Sequence, residues 1–168
     1  TNVTGQINLM IVLDRSMSMS ASSGIQKLDA NGQPVVDAAG NPVYMTRFEA
    51  SQAATIKLIN DYTAQYGAAN VKVNLMDFSS GTATKYLLGY WMTPAQALAK
   101  MATYAGLSPL GGSNYDTALA DAMAAFDATN MFAPQGVKFA NAANNAIYFL
   151  SDGLPTAGNG GTGSLTGF

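Results

Sequence analysis

The sequence predicts an α/β layered domain with a mainly parallel central sheet and helices on both faces. Three observations carry the prediction. Residues 7–13 and 146–151 are short, almost wholly apolar runs, and each leads into an aspartate, Asp14 and Asp152. Runs of that length and character read as strands buried on both faces. The segments between them carry apolar residues at helical spacing, so strands alternate with helices, and such chains fold as helical layers over a parallel sheet.

The elements follow in order. Ile7-Asn8-Leu9-Met10-Ile11-Val12-Leu13 is the first strand, and the Ser/Met run from Asp14 to Ser23 is a loop. Residues 21–45 form a surface insertion. Within it, Asp29-Ala-Asn-Gly-Gln-Pro-Val-Val36 is echoed by Asp37-Ala-Ala-Gly-Asn-Pro-Val-Tyr44. Asp and Gly make a turn and Pro-Val leads into an extended piece, which favours plain hairpin-like turns over a Ca²⁺ site at Asp29 and Asn31. Residues 46–66 are a long helix. Thr46 with Glu49 has capping-box spacing, Phe48, Ala54, Leu58, Ile59 and Tyr62 share one side, and Gly67 stops it. Residues 71–78 are a second strand. Residues 79–82 turn the chain into a third strand over 83–88, paired antiparallel with the second.

Thr93-Pro94 opens a helix that runs to about Ala102, with Pro at the first helical position. Residues 107–114 are a Gly/Ser/Pro loop, 115–129 an Ala-rich helix, and 130–144 polar and irregular. Residues 146–151 are the last strand. The Gly-rich stretch 158–167 reads as flexible. Trp91 packs under a helix, most of the nine methionines fill the core, and Met17 and Met19 stand on a rim. Asp77, at the end of the second strand, caps or pairs locally.

Composition narrows the function. The chain has 168 residues, one domain's worth, and 48% of them are hydrophobic, enough to bury a core. Charged residues make up 11% and the net charge is −2, so no basic surface exists to neutralise phosphates and nucleic acid is excluded as a partner. No apolar run approaches the ~18 residues of a membrane span, no polybasic cluster suits a lipid surface, and no signal-peptide pattern opens the chain. His and Cys are both absent. Their absence removes Ser-His-Asp and Cys-His catalysis, zinc sites built on imidazole or thiolate, and disulfides. A metal site here must be built from oxygen.

In a parallel sheet, ligands bind beyond the carboxyl ends of the strands, near the switch in strand order. That rule selects the loops after Leu13 and Ser151. The first reads Asp14-Arg15-Ser16-Met17-Ser18 and the second Ser151-Asp152-Gly153. Gly111-Gly112-Ser113-Asn114-Tyr115, just ahead of a helix, is a third candidate. Carboxylates and hydroxyls of this kind suit a hard divalent cation. Each piece alone has an ordinary reading: Ser113 with Asp116 has N-cap spacing, and Asp152-Gly153 is a common turn.

The three motifs in this order resemble the metal-ion-dependent adhesion site of von Willebrand factor A domains, the class that includes integrin I domains. Thr46-Arg-Phe-Glu ahead of a long helix resembles the start of that family's first helix. The resemblance covers residues 7 to 155 and implies a Rossmann-like fold. It also implies roles. Ser16 and Ser18 would hold Mg²⁺, or Ca²⁺ or Mn²⁺, through their hydroxyls. Ser113, where the family usually has Thr, would complete the protein ligands, and Asp14 and Asp152 would act mostly through water and hydrogen bonds. A carboxylate of a partner would take the open position, with Arg15, Met17, Asn114 and Tyr115 as the rim. Met17 replaces a frequent Gly, which stiffens the loop without removing a ligand. Arg15 steers an anion or is simply a solvated flank.

The resemblance implies two further strands and two helices after Asp152. The sequence therefore reads as a domain truncated after its fourth strand, completed by a missing segment or a second chain. The function implied is a metal-dependent adhesion module of a secreted or cell-surface protein. The alternative is a spacer or assembly module whose metal only steadies the loops. Low charge, acidic pI and abundant Asn, Gly, Ser and Thr are similar in style to the repeats-in-toxin adhesins of Gram-negative bacteria. An enzyme is not expected. Phosphate-transferring hydrolases that keep a nucleophilic Asp at this place usually carry a second Asp two positions on, where this chain has Ser16. No Lys sits in a Gly-rich phosphate loop and no His can act as base.

Overall fold

The structure, a computed structural model, describes residues 5–79, 91–104, 109–126, 138–140, 142 and 144–152. The first strand, β1 (Ile7–Asp14), is buried along its whole length. It sits in the middle of a three-stranded parallel sheet, with β4 (Val71–Phe78) on one side and β5 (Asn144–Leu150) on the other. The chain leaves β1 to one neighbour and later returns to the other. The carboxyl ends of β1 and β5 therefore flank the point where strand order reverses, which is where the loop-site rule looks for a ligand.

Alternation along β1 sends its side chains to two cores. Ile7, Leu9, Ile11 and Leu13 join Val71, Val73 and Leu75 of β4 on one face. The helices α1 (Arg47–Tyr66) and α2 (Pro94–Tyr104) cover that face through Phe48, Ile59, Met101 and Tyr104. Met10, Val12, Met76 and Phe78 point the other way, against Ala118 and Ala122 of α3 (Tyr115–Ala124). The expected arrangement of helices on both faces of a parallel sheet is therefore present.

Local signals set the helix starts. Thr46 Oγ1 accepts the Glu49 backbone N–H at 3.0 Å and Glu49 Oε2 accepts that of Thr46 at 3.1 Å, so the capping box is closed in both directions. Thr93 and Gln96 make the same reciprocal pair at the start of α2. That helix runs two residues past its expected end because Tyr104 is drawn into the core against Phe48. Trp91 is buried, as expected: its indole N–H donates to the Ala125 carbonyl at 2.9 Å and its ring packs on Phe126.

Several expectations are corrected. The last strand begins at Asn144, two residues early, because Asn144 and Asn145 pair with Ile7 and Asn8. The buried Asn8 amide also bonds Asn145 and the Phe139 backbone, which fixes that entry. The residues after Asp14 are not an extended loop throughout, since Met17–Ser20 wind into a 3₁₀ turn. Met19 lies in the core under α1 and only Met17 stands exposed. The strand expected over 83–88 and the Gly-rich stretch 158–167 lie outside the described residues. Among those described, β5 is one edge of the sheet, and its residues range from half-buried to exposed.

The insertion leaves the domain beside the loop after β1. Its base is a two-stranded antiparallel ribbon, β2 (Ser22–Gln26) with β3 (Tyr44–Thr46). The repeat folds as two similar turns. Asp29 Oδ1 accepts from the backbone of Asn31 and Gln33, and Asp37 Oδ1 from that of Ala39 and Asn41. Gly32 and Gly40 close the turns at φ of 78° and 84°, which glycine tolerates without strain. Three residues spaced by eight then form a closed ring of backbone bonds: Val35 N–H to Lys27, Val43 N–H to Val35, and Lys27 N–H to Val43. The turn reading of the repeat holds, and each Asp29 and Asp37 Oδ1 is engaged by its own turn.

Candidate metal centre

The loop after β1 begins with a buried carboxylate. Asp14 Oδ1 accepts the Ser16 backbone N–H at 2.8 Å, which bends the chain back over the strand end. Asp14 Oδ2 accepts the Ser151 hydroxyl at 2.6 Å and so ties the ends of β1 and β5 together. Ser151 Oγ also pairs with the Tyr115 hydroxyl. Since the single Ser151 proton goes to Asp14, Tyr115 is the donor in that contact.

The two loop serines continue the network. Ser18 Oγ donates to Asp152 Oδ1 at 3.0 Å, and Ser16 Oγ lies 3.0 Å from Ser18 Oγ. Arg47, the first residue of α1, donates through Nη1 to Asp152 Oδ2 at 2.8 Å. Asp14, Ser16, Ser18 and Asp152, brought from positions up to 138 apart in the chain, therefore form one connected set of oxygens.

The third loop is stitched to the first. Leu110 N–H bonds the Arg15 carbonyl and Met17 N–H bonds the Gly111 carbonyl, both at 2.8 Å, while Asn114 N–H reaches Ser79. These bonds hold the buried Ser113 next to the first loop. The cap of α3 is Asn114, whose side chain accepts the Thr117 N–H at 3.2 Å. The N-cap reading of Ser113 is thereby corrected: the chain places the cap one residue later.

Of the four residues expected on the rim, Met17 is exposed, at 57%. Asn114 is buried as the cap, and Tyr115 is buried with its ring against Phe78 and Phe149 and its hydroxyl at Ser151. Arg15 is turned inward rather than solvated: its guanidinium lies 3.1 Å from Asp77, with side-chain exposures of 14% and 2%. Tyr104 donates to the same Asp77 oxygen at 3.2 Å. Burial pushes the Asp77 carboxyl above its ordinary value, and Arg15 and Tyr104 pull it the other way. The same burial and the Asp77 charge raise the Tyr104 phenol, so it stays a donor. This pair anchors the loop from below and is separate from the oxygen set.

Two residues of the site were not singled out from the sequence, Ser151 and Arg47. Ser151 stands directly before Asp152 at a strand end, and Arg47 directly after a helix cap, so position alone could have flagged both. A groove of about 470 Å³ opens alongside, lined by Ser22, Ser23, Arg47, Ser51, Ser151 and Asp152 among others. No cluster of three His, Cys, Asp or Glu side chains suited to a metal occurs among the described residues. The donors gathered here are instead hydroxyls backed by two carboxylates, a set suited to a hard cation.

Residues 9–154 match the von Willebrand factor type A domain family. No curated protein matches the chain. Among solved structures, the PilB minor pilin from Streptococcus sanguinis superposes with a TM-score of 0.59 at 22% identity, over 93% of this chain and 32% of that one. Three N-terminal domains of the type V pili tip protein Mfa5 from Porphyromonas gingivalis give 0.57 at 20% identity, over 93% and 21%. The vWF domain of Mfa5 gives 0.56 at 19%, over 93% and 40%. The chain thus spans between about a fifth and two fifths of these structures, and at such identities the likeness is one of fold. With the family match running from β1 past Asp152 over a sheet and helix arrangement of that type, the chain belongs to the von Willebrand factor type A domain family.

Proposed function

We propose that this chain is an adhesion module that binds a carboxylate of its partner through a divalent cation. Ser16 and Ser18 would hold the ion by their hydroxyls, Ser113 would complete the protein donors, and Asp14 and Asp152 would orient those hydroxyls and bound water. The observation that carries this reading is the hydrogen-bonded set of Asp14, Ser16, Ser18 and Asp152 beyond the ends of β1 and β5, within which one spacing also suits a cation. Ser16 Oγ and Ser18 Oγ are 3.0 Å apart. An octahedron with bonds of about 2.1 Å, as Mg²⁺ prefers, has oxygen–oxygen edges of about 3.0 Å. The same 3.0 Å is also an ordinary hydroxyl–hydroxyl hydrogen bond, so the spacing is compatible with Mg²⁺ and does not select it over Mn²⁺ or Ca²⁺.

A bound cation would supply positive charge to which an external carboxylate adds. The chain's own residues do the rest. The neutral hydroxyl donors leave that charge only partly compensated, and the connected hydrogen bonds keep the oxygens in place. Met17, exposed beside the serines, offers apolar contact to whatever carries the carboxylate. We assign no catalysis: Asp14 is fully buried and both its oxygens accept hydrogen bonds, which suits a positioning carboxylate and not a nucleophile.

The partner is a protein or other ligand with an accessible Asp or Glu type carboxylate, not a nucleic acid. No helix among the described residues is long and apolar enough to cross a membrane. The related folds belong to a minor pilin and a pilus tip protein, which supports a place at the cell surface or outside the cell. One comes from a Gram-positive Streptococcus, so a Gram-negative source gains no support, and neither does membership of the repeats-in-toxin adhesins.

The test is thermal melting with Mg²⁺, Mn²⁺, Ca²⁺ or EDTA, followed by titration of the ion-loaded protein with acetate. The expected result is a Tm raised by the ion, acetate binding only when the ion is present, and loss of both in Asp14→Ala and Ser16→Ala. A Tm indifferent to all three ions overturns the reading. An ion-dependent Tm without carboxylate binding would instead favour the spacer or assembly role.

A further inference from the structure

We infer that Arg47 is a positioning residue that sets how strongly the site attracts a carboxylate, at the expense of its hold on the cation. The inference rests on the metal reading above.

Three observations support it. Asp152 divides its oxygens, Oδ1 taking the Ser18 hydroxyl and Oδ2 the Arg47 guanidinium at 2.8 Å. The contact is made by an Arg side chain that is 43% exposed and an Asp that is 8% exposed, so the guanidinium closes the solvent side of the carboxylate. The backbone beneath it is fixed: Arg47 N–H bonds the Ala21 carbonyl at 2.8 Å, one residue beyond the turn that carries Ser18. The Arg47 backbone is therefore held at the site, within reach of Asp152.

The electrostatic consequence has two opposite signs. Asp14 and Asp152 together carry two negative charges, enough to compensate a divalent ion. The guanidinium cancels one of them. A cation next to a neutralised Asp152 is bound less tightly, because it meets net attraction from one carboxylate instead of two. The same cation keeps a net positive charge, so an external carboxylate is drawn more strongly than it would be by a fully compensated ion. Arg47 also lines the groove beside the site, where its remaining N–H donors can meet an incoming carboxylate. An arginine that served structure alone would produce no such opposition, because losing it would weaken both events together.

The experiment compares the 168-residue chain with Arg47→Met, Arg47→Gln and Arg47→Lys. Mn²⁺ binding is counted from the electron paramagnetic resonance signal of the free ion. Acetate binding to the Mn²⁺-loaded protein is followed by water-proton relaxation. Far-UV circular dichroism identifies any variant that fails to fold. In Met and Gln, Mn²⁺ binding should tighten and acetate binding weaken, each by about three- to tenfold for one half-exposed charge, with the effect shrinking as salt is raised. Lys should return both constants toward wild type. Mn²⁺ affinity that falls or stays level in folded Met and Gln variants overturns the inference while leaving the metal reading intact. A wild-type protein that takes up no Mn²⁺, Mg²⁺ or Ca²⁺ overturns both.

Discussion

Replacing Arg15 by Met should destabilise the domain strongly at pH 7, and the cost should shrink as the pH is lowered toward 4. The substitution keeps an apolar stem and removes the cation that sits 3.1 Å from Asp77. Asp77 is 2% exposed at its side chain and, among the described residues, would keep only the Tyr104 hydroxyl, since its Oδ1 has no hydrogen-bond partner there. Breaking a buried pair from one side costs about 3–5 kcal/mol. The lower end applies here, because Asp77 can escape by taking up a proton. Its carboxyl is already raised from 3.8 by burial, and loss of Arg15 raises it further. A folded-state value above the unfolded one means the folded state holds the proton more tightly, so stability falls as pH rises from about 3.8 through the folded-state value. Each pH unit by which the solution drops within that window recovers about 1.4 kcal/mol.

Asp77→Leu should cost less, about 2 kcal/mol, because the long Arg15 side chain can swing its charge toward water. The double substitution removes both charges and should lie within about 1–2 kcal/mol of wild type, a coupling of about 3 kcal/mol. Urea unfolding followed by fluorescence of the only tryptophan, buried Trp91, measures all four proteins from pH 7 to pH 4. A coupling below about 1 kcal/mol, or an Arg15→Met cost that does not shrink between pH 7 and pH 4, would refute the reasoning.

Three further outcomes follow from contacts elsewhere. Tyr148→Phe breaks the 2.7 Å bond between the Tyr62 and Tyr148 hydroxyls that ties the edge strand to α1. It should cost about 1 kcal/mol in urea unfolding and should lower Tyr62 from its raised value of about 12, read by ultraviolet titration. Asn114→Ala removes the cap of α3 and should cost about 1 kcal/mol, whereas Ser113→Ala should leave that cap intact and weaken ion binding. Gly32→Ala forces a left-handed residue at φ 78° and should cost about 1 kcal/mol, with the ion-induced rise in Tm unchanged because the turn is closed by its own bonds to Asp29.

What could be read in advance was what the chain encodes locally. The capping box of α1 needs only Thr46 and Glu49, three residues apart, and it formed as spelled. The central strand announces itself by seven residues with one polar member, and Asn8 finds partners in Phe139 and Asn145. The errors came where a partner lies far along the chain. Arg15 looked like a solvated flank because nothing near it reveals Asp77, 62 residues away and buried. Ser113 and Asn114 are both good caps, and the choice between them was made by the bonds that seat the loop on Ser79 and Met17. Met17 and Met19 are indistinguishable by type, and the 3₁₀ turn sends one outward and the other into the core. The oxygen set itself was legible from two loops because each follows a strand end. Ser151 and Arg47 stand at places the chain marks, a strand end and a helix start, but which oxygens they bond is set only when Asp14 and Asp152 are brought together.

The closed ring of backbone bonds through Lys27, Val35 and Val43 has a consequence for how this surface can vary. The ring brings the two ends of the insertion together irrespective of what the turn tips carry. Ala30, Asn31, Ala38 and Ala39 are exposed beyond it. Sequence at the tips can therefore change, or a foreign epitope be grafted there, while the base remains a fixed socket and Ala21, bonded to Arg47, stays in register. Diversity on the outer face of the domain is thereby uncoupled from the oxygens beneath it.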